Sequence, residues 1–183
     1  MFYENTAQNS NDLMILPIEG DDASGWKPGK PSVFLSTPAN EQEPMFSPDG
    51  RWIAYTSRES GRAEVFVRPF PGPGGKWQIS TAGGDTPTWS PAARELLYQT
   101  PDRRIMVVPY TLEGNSFKAD KPRVWSEQAI LGRPRQRAFD IHPDGERIAA
   151  AIPSDQPEEK LDHVTFIFNF FDELRRIAPP SKK

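Results

Sequence analysis

The chain contains no cysteine among its 183 residues, which excludes disulfides, thiolate catalysis and cysteine-ligated metal sites. It also lacks any apolar run of about 18 residues, and its first residues do not form a basic stretch followed by an apolar one, so we expect neither a membrane span nor a signal peptide. Neither sign of charge dominates, since 22 Lys and Arg stand against 25 Asp and Glu. This balance predicts no nucleic-acid partner and no membrane contact within the chain.

Proline, by contrast, is abundant. The chain has 20 prolines, and average usage is only about 5%. Because proline cannot donate a backbone hydrogen bond and breaks helices, this abundance favours short strands joined by turns. The hydrophobic content of 36% and the length are sufficient for a domain with a core.

Three segments of the sequence repeat one another. Each begins near a Ser-Pro or His-Pro pair, at positions 47, 90 and 142, and each divides into four short runs with the two-residue alternation of strands. In the first repeat the predicted strands cover residues 44–47, 52–58, 64–70 and 76–80, and in the second they cover 87–90, 95–100, 105–111 and 123–126. The three repeats span residues 43–80, 85–126 and 137–177.

A four-stranded unit that recurs every forty to fifty residues is typical of a β-propeller blade, because such a sheet is apolar on both faces and needs neighbours on both. A β-sandwich is the alternative, although it does not predict a turn that recurs at blade length. Residues 1–37 match a partial blade without its first strand, with the other three strands expected at 2–7, 11–20 and 31–37. The prediction is therefore an all-β chain, one incomplete β-propeller domain over 1–183 with three to four four-stranded antiparallel blades. Residues 172–177 fit a strand or, slightly better, a short C-terminal helix.

The stretch "FSPDGRWIAYTSRESGRAEVFVRPFPG" (46–72) resembles the WD-like repeat of TolB-like β-propellers, and the resemblance extends from about residue 2 to residue 171. The tail "VTFIFNFFDELRRIAP" (164–179) resembles the end of propellers fused to bacterial serine/threonine protein kinases. The resemblance implies a sensor or interaction module, and an extracytoplasmic, periplasmic location if it is fused to a membrane-anchored kinase. The sequence itself contains no kinase motif.

The Pro-Asp-Gly triplets are the most conspicuous candidate sites, at Pro48-Asp49-Gly50 and Pro143-Asp144-Gly145. Pro presets φ, Asp can accept a backbone hydrogen bond and Gly tolerates positive φ, so the triplets predict turns between the first and second strands. A motif that occurs once per blade does not supply one unique catalytic or metal site. The second repeat has Ala92-Ala93 instead of Asp-Gly, which leaves the geometry of its turn open.

No catalytic, cofactor-binding or metal-binding residue is predicted, and we do not expect an enzyme. His142 and His163 are isolated from other ligand or triad residues. Arg133, Arg135 and Arg137 could bind an acidic partner or a phosphate, or could form a solvated loop. The strand tryptophans are expected in the core between blades, although one or two could line a ligand site: they are Trp52, Trp77, Trp89 and Trp125.

The predicted function is that of a non-catalytic propeller module that binds a protein, peptide or small ligand, as the sensor part of a kinase-like receptor. The alternatives are a substrate-gating propeller of a serine peptidase and a purely structural, self-assembling fragment. An incomplete ring exposes an apolar face and unpaired strand edges. We therefore expect a homo-oligomer, in which two chains complete a ring of seven or eight blades.

Overall fold

The computed structural model describes residues 2–5, 11–131 and 137–153, and for residues 2–5 the backbone alone. All regular elements in these residues are strands, which confirms the all-β prediction. Within the described ranges there is no helix long and apolar enough to cross a membrane. The strands are β1 Phe2–Asn5, β2 Asn11–Ile15, β3 Ile18–Asp21, β4 Gly25–Pro28, β5 Ser32–Leu35, β6 Glu41–Phe46, β7 Trp52–Ser57, β8 Glu64–Pro69, β9 Trp77–Gln78, β10 Asp85–Trp89, β11 Glu95–Gln99, β12 Ile105–Glu113, β13 Ser116–Ala119, β14 Arg123–Ser126, β15 Phe139–Ile141 and β16 Ile148–Ala150.

The strands form successive antiparallel sheets in chain order. The first sheet has the order β1-β2-β5, and the second has the order β6-β7-β8-β9. In the third sheet β10, β11 and β12 are followed by β14, while β13 pairs with the far end of β12. The fourth sheet shows β15 and β16. The rest of the third repeat, with the helix or strand expected at 172–177, lies outside the described residues.

Two hairpins were not predicted. The single strand expected at 11–20 is interrupted, because β2 ends at Ile15 and β3 begins at Ile18 after Pro17, which has no N–H for a ladder. β3 then turns back into β4 as a separate two-stranded hairpin. In the third sheet β12 continues past its predicted end and turns at Gly114, whose φ is 60°, into β13.

Each sheet packs against its neighbours through alternate residues of its strands. In β7, Trp52 and Ala54 face the third sheet, while Ile53 and Tyr55 face the first. Among the described residues, the layer between the second and third sheets has the most buried apolar side chains, which are Trp52, Ala54, Val65, Val67, Ile79, Trp89, Leu96, Tyr98, Val108, Tyr110 and Phe117. Leu97, Ile105 and Val107 face the fourth sheet on the other side of the third.

The sheets are therefore stacked face to face in chain order, an arrangement compatible with a β-propeller-like fold and with partial propeller blades. Burial of each large apolar side chain in these layers contributes about 1.5–3 kcal/mol. The expectation for the tryptophans is confirmed, since Trp52 and Trp89 are buried and Trp77 and Trp125 pack, half-buried, against the layers.

Candidate functional site

The Pro-Asp-Gly triplets lie in the turns that join the first and second strands of a sheet. The amide of Ser47 donates to the carbonyl of Trp52 (2.8 Å), and the amide of Gly50 donates back to the carbonyl of Ser47 (2.9 Å). His142, Arg147 and Gly145 form the same two bonds in the third repeat. Gly50 and Gly145 have φ of 68° and 75°. This left-handed conformation explains glycine at both positions.

The aspartates of these turns are held by hydrogen bonds within the turn. The Ser47 hydroxyl (2.5 Å) and the Arg51 amide (3.1 Å) donate to Asp49, and these bonds outweigh a raising effect of burial, so its pKa lies below 3.8. The amide of Glu146 donates to Asp144 and, with Arg147, lowers its pKa to about 2. Both carboxylates therefore stay ionised at neutral pH and are engaged in the turns.

The turn of the second repeat keeps the same length without Asp-Gly. The amide of Ser90 donates to the carbonyl of Glu95 (2.9 Å), and the Ser90 hydroxyl accepts from the amide of Ala93 (3.2 Å). A Cβ placed on Gly145 would lie 2.8 Å from the Cβ of Ala92. The turns of the second and third repeats thus touch, and a small residue at position 92 makes room for the neighbouring turn.

A buried carboxylate that the sequence interpretation missed connects strands of the second sheet. Glu64 is fully buried at the start of β8. It accepts hydrogen bonds from Arg62 Nε (2.6 Å), from the amide of Gly83 (3.1 Å) and from the Ser80 hydroxyl. Because every oxygen has a donor, this carboxylate is a structural clamp between β8 and the link to the third sheet.

A similar serine–carboxylate contact occurs at Asp12 of the first sheet, where a second buried carboxylate is close by. The Ser36 hydroxyl donates to Oδ2 of Asp12 (3.0 Å), as Ser80 does to Glu64. A second buried carboxylate, Glu41, accepts from the hydroxyls of Thr37 (2.7 Å) and Ser57 (3.2 Å). Within the described residues, Oδ1 of Asp12 and Oε2 of Glu41 are buried without a hydrogen-bond partner.

The environment of Glu41 favours its protonated form. Burial raises the pKa of Glu41, and the charges of Asp12 and Glu59 raise it further, against the hydrogen bonds from the two hydroxyls. The charged form of Glu41 is therefore less favourable in the folded protein than in water.

The first strands of the second and third sheets both contain a bulge at the same point of the repeat. The register of β6 with β7 shifts between Gln42 and Met45, and that of β10 with β11 shifts between Asp85 and Thr88. Glu43 has a φ of 53° and Thr86 a φ of 50°, both in the left-handed region. A non-glycine residue there costs about 1–3 kcal/mol, and such strain is concentrated at functional sites.

The bulges bring polar groups of adjacent sheets together. Oε2 of Glu43 accepts hydrogen bonds from the Thr86 amide (2.7 Å) and the Thr56 hydroxyl (3.1 Å). Burial and the Glu43 charge raise the pKa of Asp85 from 3.8 to about 6, although Thr86 and Arg58 act in the opposite direction. Asp85 therefore keeps its proton to a higher pH than an ordinary aspartate does.

Arg137, one of the predicted partner-binding residues, reaches this same edge. Its guanidinium donates to Thr88 Oγ1 (3.3 Å) of β10 and contacts Met45 Sδ (3.2 Å) of β6. Arg137 is exposed and lies just before β15. Residues 132–136, which include Arg133 and Arg135, lie outside the described part of the chain.

We call the set Glu43, Arg58, Asp85, Thr88 and Arg137 the first-strand edge. It combines a carboxylate, a carboxyl that titrates near pH 6 and two exposed guanidinium groups. Such a set can hydrogen-bond a polar ligand of mixed charge, but it has no nucleophile paired with a base. In the described ranges, no three His, Asp or Glu side chains are placed to hold a metal ion.

Neither the protein-family models nor the curated proteins contain a match to this chain.

Proposed function

We propose that the chain is a non-catalytic, TolB-like propeller module that binds a peptide or protein ligand at the first-strand edge and completes its ring by self-association. The observation that carries the proposal is that polar groups of consecutive sheets meet along their first strands. Glu43 and Asp85 interact between the second and third sheets, and Arg137, just before β15, contacts Thr88 and Met45 of the same two first strands. The buried apolar side chains of these sheets pack between the layers. The exposed guanidinium groups of Arg58 and Arg137 lie close to the acidic side chains of the first-strand edge, where a ligand could reach both signs of charge.

The electrostatics of the edge favour a peptide over a simple ion. Arg58 and Arg137 can donate to carbonyl or carboxylate oxygens, while Glu43 and Asp85 can accept from amide or ammonium groups. An inorganic anion would meet two acidic side chains at the same edge, which opposes its binding. A peptide presents donors and acceptors together and matches both signs.

The receptor role is supported by the resemblance of residues 164–179 to the end of propellers that are fused to bacterial serine/threonine protein kinases. In that setting the module would be the ligand-sensing end of a longer protein. The reading frame upstream of the codon for Met1 tests this part of the proposal. It should encode a kinase domain and a membrane span, and a frame without any signalling domain would contradict the receptor role.

Selection from a phage-displayed library of random peptides tests the binding role. Peptides enriched on the wild-type protein should lose affinity about tenfold or more when Asp85→Asn and Arg137→Ala are combined, as expected for the loss of two central contacts. The matched control combines Asp120→Asn with Arg94→Ala, two exposed charges outside the first strands. Equal binding by both double variants, or no enriched peptide, would contradict a ligand site at this edge.

A further inference from the structure

The two unpredicted hairpins occupy the same place in their sheets. β3–β4 lies between the second and third strands of the first sheet, and the hairpin formed by the end of β12 with β13 lies between the corresponding strands of the third. Leu13 and Ile105 correspond, since each begins the apolar run of its strand and faces the following sheet. Ile18 follows Leu13 at the same spacing as Tyr110 follows Ile105, so Ile18 corresponds to Tyr110.

The pairing partners of the hairpins extend the correspondence. Gly20 pairs with Trp26 as Leu112 pairs with Phe117. Because paired residues of an antiparallel ladder share one face, each hairpin has an apolar face. In the third sheet that face consists of Tyr110, Leu112, Phe117 and Ala119, and in the first sheet it consists of Ile18, Gly20, Trp26 and Pro28.

The hairpin of the third sheet is folded onto the preceding sheet. The Phe117 ring packs against Trp52 and Trp77 of the second sheet, with centroids at 5.4 and 6.2 Å. The carbonyl of Gly114 at its tip accepts a hydrogen bond from Arg51 Nη2 (3.1 Å), in a turn of that same sheet. Phe117 is 2% exposed as a result. This hairpin therefore serves as a clasp between two blades.

The hairpin of the first sheet has the same design with its apolar face uncovered. Trp26, at the Phe117 position, is 61% exposed, and Ile18 is 59% exposed. Val33 of β5, 60% exposed, pairs with Met14. Met14 corresponds to Phe66 and Met106 of the second and third sheets, and these two residues face the preceding sheet. The exposed side of the first sheet is thus the side by which these sheets accept a predecessor.

We propose that β3–β4 is a clasp that docks onto a blade-like sheet of a second copy of this chain, with Trp26 as its anchor. The occupant follows from the precedent within the chain, where the matching hairpin holds a sheet built from the same repeat. The opposite face of the hairpin pairs Glu19 with Lys27 and is polar, so the docking surface has one side only. This inference rests on the proposed self-association and names its contact surface.

The substitution Trp26→Lys tests the clasp, with Trp26→Phe and Lys27→Ala as matched variants. Trp26→Phe places at position 26 the side chain that forms the clasp in the third sheet, and Lys27 lies on the polar face of the same hairpin. Because Trp26 and Lys27 are exposed, the variants should fold as the wild type does. Dimer dissociation is measured by sedimentation velocity over a concentration series.

Trp26→Lys should raise the dissociation constant of the dimer about tenfold or more, as loss of a central aromatic anchor does, while the two matched variants should dimerise like the wild type. Acrylamide quenching supplies an independent readout. Trp26 fluorescence should be protected from acrylamide in the dimer and quenched on dilution. The Trp26→Phe variant should lack this concentration-dependent part of the quenching.

Two results would overturn the inference: one would contradict the clasp alone, and the other would also contradict the self-association. If the wild type and Trp26→Lys dimerise equally, with Trp26 still open to acrylamide, the clasp is wrong and self-association stands. A wild-type protein that is monomeric at every concentration would overturn both the clasp and the proposed ring completion.

Discussion

The Glu43 carboxylate of the second sheet accepts a 2.7 Å hydrogen bond from the Thr86 amide of the third. Both residues have positive φ and lie in the bulges of their strands. The bond places a negative charge beside Asp85 and contributes to the raised pKa of that carboxyl. The first-strand edge is therefore both a sheet-to-sheet connection and the polar surface that we assign to ligand binding.

Stability should fall as pH rises from about 4 to about 6. The folded-state pKa of Asp85 is raised from 3.8 to about 6, so between these values the folded state holds a proton that the unfolded state has lost. The raised pKa of Glu41 acts in the same direction. Asp85→Asn should remove the part of this slope that Asp85 causes and stabilise the protein at pH 7. Urea unfolding at a series of pH values measures how the free energy of unfolding depends on pH. An unchanged slope in the variant would contradict the raised pKa of Asp85.

At lower pH the slope should reverse. The pKa of Asp144 is lowered to about 2, so the stability that its ionised form contributes is present above about pH 4 and is lost as pH falls towards 2. Asp144→Asn should therefore flatten the unfolding free energy between pH 2 and 4 and leave the region above pH 4 unchanged. The same urea series measures this effect, and acid sensitivity identical to that of the wild type would contradict it.

The two buried glutamates should respond oppositely to amide substitution. Glu64→Gln should destabilise the protein by about 2–3 kcal/mol at pH 7, because it removes the charge that Arg62 pairs with and presents an amide to bound donors. Glu41→Gln should be neutral or stabilising, since it removes a charge next to Asp12 and retains an acceptor oxygen for Thr37. Chemical unfolding compares them, and a larger loss in Glu41→Gln would reverse our interpretation of both sites.

The glycines of the two Pro-Asp-Gly turns should differ in their tolerance of alanine. Both have positive φ, so each substitution costs about 1–2 kcal/mol from the backbone alone. A Cβ at Gly50 has no atom within 4 Å, whereas a Cβ at Gly145 meets Ala92 at 2.8 Å. Gly145→Ala should therefore be the more destabilising variant in urea unfolding, and Gly145→Ala combined with Ala92→Gly should recover part of the difference. Equal losses would show that the turns do not touch.

Phe117→Ala should destabilise the protein by about 3–5 kcal/mol, the usual loss for a buried aromatic side chain. The matched control is Lys118→Ala, because Lys118 is the exposed neighbour on the opposite face of β13 and its loss should change stability by less than about 0.5 kcal/mol. Thermal or urea unfolding distinguishes the two variants. A small effect at Phe117 would mean that the hairpin does not hold the second and third sheets together.

The sequence carried enough information for the strand content and for the stacking of the sheets. The alternation of Trp52 and Ala54 with Ile53 and Tyr55 is apolar on both faces, and such a strand requires a neighbour on each side. The recurring Ser-Pro turn marked the start of each second strand, because Pro and Gly impose backbone angles that few other residues adopt. These signals depend only on neighbouring residues, so they could be recognised in the sequence.

The hairpins and the clusters of polar side chains could not be predicted from such local patterns. The segments of β3–β4 and β13 are short and polar on one face, and only their pairing with a neighbouring strand makes them regular. Glu41, Glu64 and Asp85 resemble ordinary surface acids in sequence, and their burial arises from contacts between distant segments. The Ser-Thr pair occurs at both 36–37 and 80–81, and its serine donates to a buried carboxylate in each case, Asp12 and Glu64. This repetition was the one sequence signal for these contacts.

The mass of the purified wild-type chain in solution, by sedimentation equilibrium, tests the central claim most directly. The proposed ring completion predicts a species of twice the chain mass of 20.6 kDa that dissociates reversibly on dilution. A single species at the chain mass over the whole concentration range would contradict it.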